Sequence, residues 1–285
     1  MDGGVQFTQP WSVSQDMRTW FDKNGFLIVR NIFSQEEITK LLHFFEGSEE
    51  MEQYSYRQDD GEGKKTKICL WTEEGDDIGD MAVRSDKIVT TFEKLLGVEE
   101  LYHYHTKLMM KEARTGGAHV WHQDYGYWYE NLCMFPDMGS VFIPLDKATR
   151  ENGCLQVLAG SHRMGRLDTA LIGTGDIPQR GANPSRVELA KQCCALVFAE
   201  LDPGDVIFFH SNLLHKSSQN LSDNRRWSLI SAYNNKANNP LRKHHFAQYH
   251  PLNKVQDSAI IKCSNKKSTI VKQYFNPQDD KSIER

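Results

Sequence analysis

The residues best equipped for chemistry lie in Trp121-His122-Gln123-Asp124. In an extended chain, side chains at i and i+2 point to the same side, so His122 and Asp124 can approach a single metal ion. A second histidine from a distant strand would complete a face of two imidazoles and one carboxylate. That face leaves open positions on a redox-active ferrous ion, whereas a structural zinc site is closed by four ligands. Alone the pair carries little weight, because a chain with 11 histidines yields about one His-x-Asp by chance.

The downstream sequence adds weight. Asp202-Pro203-Gly204-Asp205 turns into the apolar run Val206-Ile207-Phe208-Phe209, followed by His210, His215-Lys216-Ser217 and Arg226. His215 offers a neutral imidazole. Arg226 offers a planar, two-pronged grip on a carboxylate that lysine cannot reproduce. Ser217 can donate a hydroxyl to the same carboxylate. His210 is the main rival for the distal ligand, and the spacing to Arg226 favours His215. His119 is a weaker rival for the proximal position, because no carboxylate stands two residues on.

His122-Gln123-Asp124, Glu151-Asn152-Gly153-Cys154-Leu155, Gly160-Ser161-His162, Pro203-Gly204-Asp205, His215-Lys216-Ser217 and Arg226 occur in that order. With them the chain resembles the phytanoyl-CoA dioxygenase family, which includes ectoine hydroxylase, over roughly residues 15–235. The resemblance implies a double-stranded β-helix core, with Fe(II) on His122, Asp124 and His215. It also implies 2-oxoglutarate and O2 as cosubstrates, with Arg226 and Ser217 on the distal carboxylate of 2-oxoglutarate. Asp124 separates the chain from halogenating relatives, in which a small residue replaces the carboxylate. Trp128 resembles an aromatic that lines the site in ectoine hydroxylase, with plain packing as the competing reading. The family uses strand 101–111 to touch cosubstrate or substrate. There Lys107 faces an acidic group or is an ordinary snorkelling lysine, and His105 is equally open. His162 is expected to serve turn structure.

Two departures bear on the substrate. No basic cluster marks a CoA phosphate site, and the C-terminus is not a peroxisomal Ser-Lys-Leu signal. Acyl-CoA hydroxylation therefore does not follow from the family name. The run Tyr125-Gly126-Tyr127-Trp128-Tyr129 suits a compact polar or amphipathic small molecule. Hydroxylation with release of succinate and CO2 is the usual outcome, and ring closure or desaturation would use the same residues. A non-catalytic metal-binding β-barrel, acting as a sensor or binding module, is the reading from another class. Such a module would not need Arg226. A protein hydroxylase is a third reading.

These residues need a scaffold, and the patterning supplies one that is mainly β with flanking helices. Strands are predicted at 101–111, 139–145, 154–158, 196–201, 206–210 and 226–233, separated by Gly, Pro and Asn turn signals. Many short strands of this kind indicate a β-sandwich or jelly roll (cupin-like) core. The expected organisation is one domain over 1–285. Residues 1–100 are mostly helical, 101–235 form the core with an interruption at 163–194, and 236–285 form a C-terminal extension. The interruption reads as a lid or binding loop. In the first part, Ser14 caps a short helix, 26–33 form a strand, and Ser34 opens a helix through a capping box with Glu37. Residues 47–65 read as a mobile loop, and one long helix is expected from about Asp80 to Leu96, closed by Gly97.

Bulk properties exclude little else. A net charge of −4 gives no global attraction to nucleic acid or anionic membrane. No run of 18 apolar residues exists, and the first residues lack the design of a signal peptide. Six cysteines without a CxxC pair point to reduced thiols and a cytoplasmic location. The oligomeric state is not readable.

Overall fold

The structure, a computed structural model, describes residues 4–172, 179–264 and 272–279. The first part contains β1 (Gly4–Gln6), α1 (Gln15–Asn24), β2 (Phe26–Arg30), α2 (Gln35–Glu46), α3 (Glu49–Gln53), β3 (Tyr56–Asp59), β4 (Lys65–Trp71), α4 (Ile78–Arg84) and α5 (Asp86–Leu96). Then come β5 (Leu101–Lys111), β6 (His119–His122), α6 (Asp124–Glu130), β7 (Met138–Pro144), β8 (Leu155–Leu158), β9 (Thr169–Ile172), β10 (Gln179–Ala182) and α7 (Pro184–Cys193). The chain continues through β11 (Leu196–Ala199), β12 (Val206–His210), β13 (His215–Ser217), β14 (Arg226–Asn235) and α8 (Ala259–Lys262). No helix among the described residues is long and apolar enough to cross a membrane.

One sheet runs β1-β2-β12-β7-β14-β5-β4-β3, and a second runs β11-β8-β13-β6. Period-two alternation decides what each face of the large sheet meets. On β12, Val206 and Phe208 pack with Phe21, Leu41 and Phe92 of the helices α1, α2 and α5. Ile207 and Phe209 point the other way, to meet Leu155 and Val157 of the small sheet. The two sheets thus enclose one core while helices cover the outer face of the large sheet, which is the jelly-roll architecture expected.

Two expectations need correction. The segment 47–65 is not simply a loop: it holds α3 and β3, and β3 pairs with β4 at the edge of the large sheet. Its polar composition suits an edge strand, which keeps one side in water. The long helix from Asp80 is two helices, broken at Ser85, whose ψ is 143°. There Val255 N–H donates to Arg84 C=O and Asp86 N–H donates to Val255 C=O, so the returning chain takes backbone groups that a continuous helix would have used. The interruption at 163–194 carries the β9–β10 hairpin and α7, with Val187 and Ala190 buried against Leu158 and Leu214. Residues 173–178 of that interruption lie outside the described residues.

The C-terminal extension is anchored by a buried charge cluster. Lys272 Nζ lies 2.5 Å from Asp77 Oδ2 and 2.7 Å from Asp80 Oδ2, all three side chains being almost fully buried. Removing one member of such a cluster leaves uncompensated charge in low dielectric. Lys272→Met is expected to destabilise the protein by about 3–5 kcal/mol, measured by urea unfolding. A loss below about 1 kcal/mol would mean the cluster is open to water.

Candidate active site

The small sheet positions the two histidines. β13 pairs antiparallel with β6 so that His215 stands opposite His122, with their ring centroids 4.0 Å apart. Each ring is oriented by its own backbone: His122 Nδ1 donates to Val120 C=O at 2.8 Å, and His215 Nδ1 to Leu213 C=O at 2.9 Å. With Nδ1 used as the donor, Nε2 keeps its lone pair for a cation. The Asp124 carboxylate completes the group, with Oδ1 at 3.6 Å from His122 Nε2 and 3.8 Å from His215 Nε2. Its other oxygen accepts from Ser140 Oγ at 2.7 Å. Ligand atoms of these three residues lie within 4.8 Å of one another, and theirs is the one such group found among the described residues. Burial, reinforced by the neighbouring His122, pushes His215 down to about 3, so it is neutral. Burial opposes the charge on Asp124, yet His215, His122 and Lys107 hold its carboxyl well below the usual range. Two imidazoles and one carboxylate on one side of a cavity are the donor set that Fe(II) takes in a facial arrangement.

The route to this geometry differs from the expected one. His122 ends β6, Gln123 is the helix N-cap, and Asp124 opens α6. The two residues therefore do not share one face of a strand. The chain bends at Gln123, whose side chain donates to Gly165 C=O and Asn212 C=O and accepts from Leu167 N–H. Ser161 of the Gly-Ser-His motif accepts from Leu214 N–H at 2.9 Å, fixing the residue before His215. His162 Nε2 donates to Asp22 C=O of α1 at 3.1 Å, in keeping with a turn role. His210 is not in the group: its Nδ1 accepts from Asn212 N–H, and its ring lies 5.3 Å from that of His162. His119 packs edge-on against His122 at 4.5 Å and lines the same cavity without joining the three.

Behind the histidines the cavity continues between Phe142, Leu155, Phe209 and Ile230 to Ser217 and Arg226. Arg226 is 1% exposed, and its Nε and Nη2 have no hydrogen-bond partner. Only Nη1 is engaged, donating to Ser228 Oγ at 3.2 Å. A buried guanidinium with two unused donors is costly unless a ligand supplies acceptors. Ser217 Oγ accepts from Lys111 Nζ at 2.8 Å, a residue not singled out from the sequence although the predicted strand 101–111 contains it. Lys111 shares the face of His105, Lys107 and Met109, which period two would have shown.

On the opposite side of the three residues lies a wider pocket lined by Trp128, Tyr127, Phe246, Phe275, His105 and Lys107. Trp128 is 2% exposed and meets Tyr104 and His105 edge-on, so it both packs and lines the pocket. Lys107 borders this pocket and the inner cavity, and no hydrogen bond or ion pair engages it among the described residues. His105 is buried and held well below its ordinary value, first by burial and then by Lys107. His103 does not join them on that face as the alternation predicts. A β-bulge falls where Ala232 opposes His105 and Tyr233 opposes His103, leaving Tyr104 as the extra residue. The bulge turns His103 to the far side, toward Glu74 and Thr106. Arg180 pairs with Glu130, which also accepts from Thr169 Oγ1, at the pocket edge. Phe246 and Phe275 were not found from sequence, because the extension shows no periodicity that would aim them.

Residues 21–228 match the sequence model of the family described as Phytanoyl-CoA dioxygenase (PhyH). Among curated proteins, the chain is 28% identical to L-proline trans-4-hydroxylase of Streptomyces griseoviridis over 242 residues, covering 79% of this chain and 88% of that one. It is 24% identical to ectoine dioxygenase of Bordetella parapertussis, covering 80% and 77%. Among solved structures it resembles EctD from S. alaskensis, crystallised with 2-oxoglutarate and 5-hydroxyectoine. That match has a TM-score of 0.69 and 19% identity, covering 88% of this chain and 90% of the other.

Proposed function

The chain belongs to the phytanoyl-CoA dioxygenase family and is an Fe(II)- and 2-oxoglutarate-dependent dioxygenase; from that premise we propose that it hydroxylates a C–H bond of a compact amphipathic small molecule. In this reading His122, Asp124 and His215 hold the iron. Bound there with 2-oxoglutarate and O2, Fe(II) supplies an oxidant for unactivated C–H bonds, with succinate and CO2 released. Arg226 and Ser217 fix the distal carboxylate of 2-oxoglutarate at the inner end of the cavity. Lys107 stands between cosubstrate and substrate, and Trp128, Phe246 and Phe275 hold the body of the substrate and keep water away. The observation that carries the reading is the pairing of three oriented ligands with a buried guanidinium, two of whose nitrogens lack acceptors. A metal-binding module without turnover would have no use for that guanidinium. All six cysteines are free, which agrees with a reducing cytoplasm.

The test is succinate release from anaerobically reconstituted enzyme, on admission of O2, against a panel of small amphipathic acids, amino acids and cyclic compounds. Release that depends on one panel member, with that member gaining one oxygen, is the expected result. Loss of two hydrogens from the product instead would identify desaturation or ring closure. Consumption of 2-oxoglutarate by none of them would leave the substrate class misassigned.

The pocket makes a separate prediction. Trp128→Ala and Phe246→Ala should each lower product formed per succinate by roughly tenfold, because a small displacement of the target carbon is costly. Unchanged coupling in both variants would return these rings to the packing of the core.

A further inference from the structure

Lys111 and Arg226 are opposite partners on β5 and β14, and both are almost wholly buried. Two cations side by side in the interior repel each other and lose hydration, a combination that proteins offset with nearby carboxylates. Among the described residues no carboxylate forms an ion pair with either. The acid that acts on Lys111 from a distance is Asp60, and its oxygens already accept from Glu62 N–H, Lys64 N–H, Ala118 N–H and Gln219 Nε2. Lys111 is held well below its ordinary value by burial first and by Arg226 second, while Asp60 and the Cys154 thiol act in the other direction. What Lys111 does touch is specific: Nζ donates to Ser217 Oγ at 2.8 Å and to Ser218 C=O at 2.5 Å. The carbonyl fixes the amine, and the amine occupies a lone pair of the Ser217 hydroxyl. Ser217 lines the cavity together with Arg226, whereas Lys111 sits behind it. A serine hydroxyl has one proton to donate. With Lys111 donating from behind, that proton turns toward the cavity.

We propose that Lys111 is a positioning residue of the cosubstrate site, which aims the Ser217 hydroxyl at the carboxylate held by Arg226. The inference rests on the reading that this cavity takes the distal carboxylate of 2-oxoglutarate. It adds a requirement that the Arg226 grip alone does not: the site recognises the diacid through a chain running from ammonium to hydroxyl to carboxylate.

The experiment is anaerobic calorimetric titration of the full-length Fe(II) protein, with 2-oxoglutarate and, separately, pyruvate, which has the keto acid but no distal carboxylate. Lys111→Met and Ser217→Ala should each raise the Kd for 2-oxoglutarate by about tenfold, the loss expected for a hydrogen bond to a charged group. The double variant should bind within about twofold of Lys111→Met, because the two residues act through one hydrogen bond. The weak binding of pyruvate should be the same in all variants. A Kd for 2-oxoglutarate unchanged in Lys111→Met, or pyruvate weakened as much as 2-oxoglutarate, would overturn the proposal, the second outcome showing a role in structure only. If Lys111→Met does not fold, Lys111→Gln and Ser217→Ala carry the same comparison of diacid with pyruvate. Arg226→Met separates the two levels. If it loses 2-oxoglutarate while the Lys111 variants do not, the inference fails and the site reading stands. If it also binds normally, the site reading fails.

Discussion

Asp124→Ala and His215→Ala are expected to lower Fe(II) affinity by more than about a hundredfold and to abolish turnover, while the protein remains folded. The magnitude follows from what outer partners of metal ligands are worth: their loss alone costs roughly 10–100-fold. Removing a ligand from a set of three should exceed that. Ser140→Ala, which removes the hydroxyl donating to Asp124 Oδ2, should fall in the lower range at roughly tenfold. His210→Ala is the matched control. Its Nδ1 accepts from Asn212 N–H and its ring packs on His162, so the variant should keep its iron and most of its activity. Iron content by mass spectrometry, with succinate release alongside, distinguishes these outcomes. Full iron stoichiometry in Asp124→Ala would show that the three residues are not the ligands.

Arg226→Met should raise the Kd for 2-oxoglutarate by roughly thirtyfold or more, because losing a charged hydrogen-bonding partner at a buried site costs about 2–5 kcal/mol. Arg226→Lys retains the charge without the planar fork and should be intermediate. Iron binding without cosubstrate should change in neither, since Arg226 lies at the far end of the cavity from Asp124. Arg225 provides the control. Its side chain points to the other face, where it pairs with Asp146 at 3.2 Å and with Glu46. Arg225→Met should cost some stability and leave 2-oxoglutarate affinity alone. The reverse pattern in a calorimetric titration would place the strand one residue out of register.

What could be read in advance depended on how far each feature is local. β5 was predicted with both ends at their observed positions, Leu101 and Lys111, because the change to period two at residue 101 is local to the sequence. The bulge at Tyr104 is not local: it arises where β14 pairs with β5, and it reverses the face of His103. The convergence of His122, Asp124, His215 and Arg226 was legible from residue type and order. The reason offered for the first pair was not the one observed, since a bend at Gln123 replaces a shared strand face. Lys111 was within reach of the same period-two argument that singled out Lys107. Phe246 and Phe275 were not, because an irregular chain carries no period to aim a side chain. β3 was missed for a related reason: an edge strand that keeps one side in water resembles a loop in composition. β4 is paired on both sides, with β3 and β5, and its apolar run at 68–71 went unread.

The wall of the outer pocket has a consequence for how this enzyme could be altered. Phe246 and Phe275 lie beyond residue 228, where the family match ends, and Lys272 clamps the second of them to the helical layer. Part of the outer pocket's wall is thus written in a stretch of chain separate from the His122, Asp124, His215 and Arg226 cluster. Exchange of the segment after residue 240 between relatives is a direct route to new selectivity, because it leaves the iron and cosubstrate contacts untouched. A tail that fits badly carries its own hazard: a working oxidant with nothing held in front of it, which spends itself on the protein that made it.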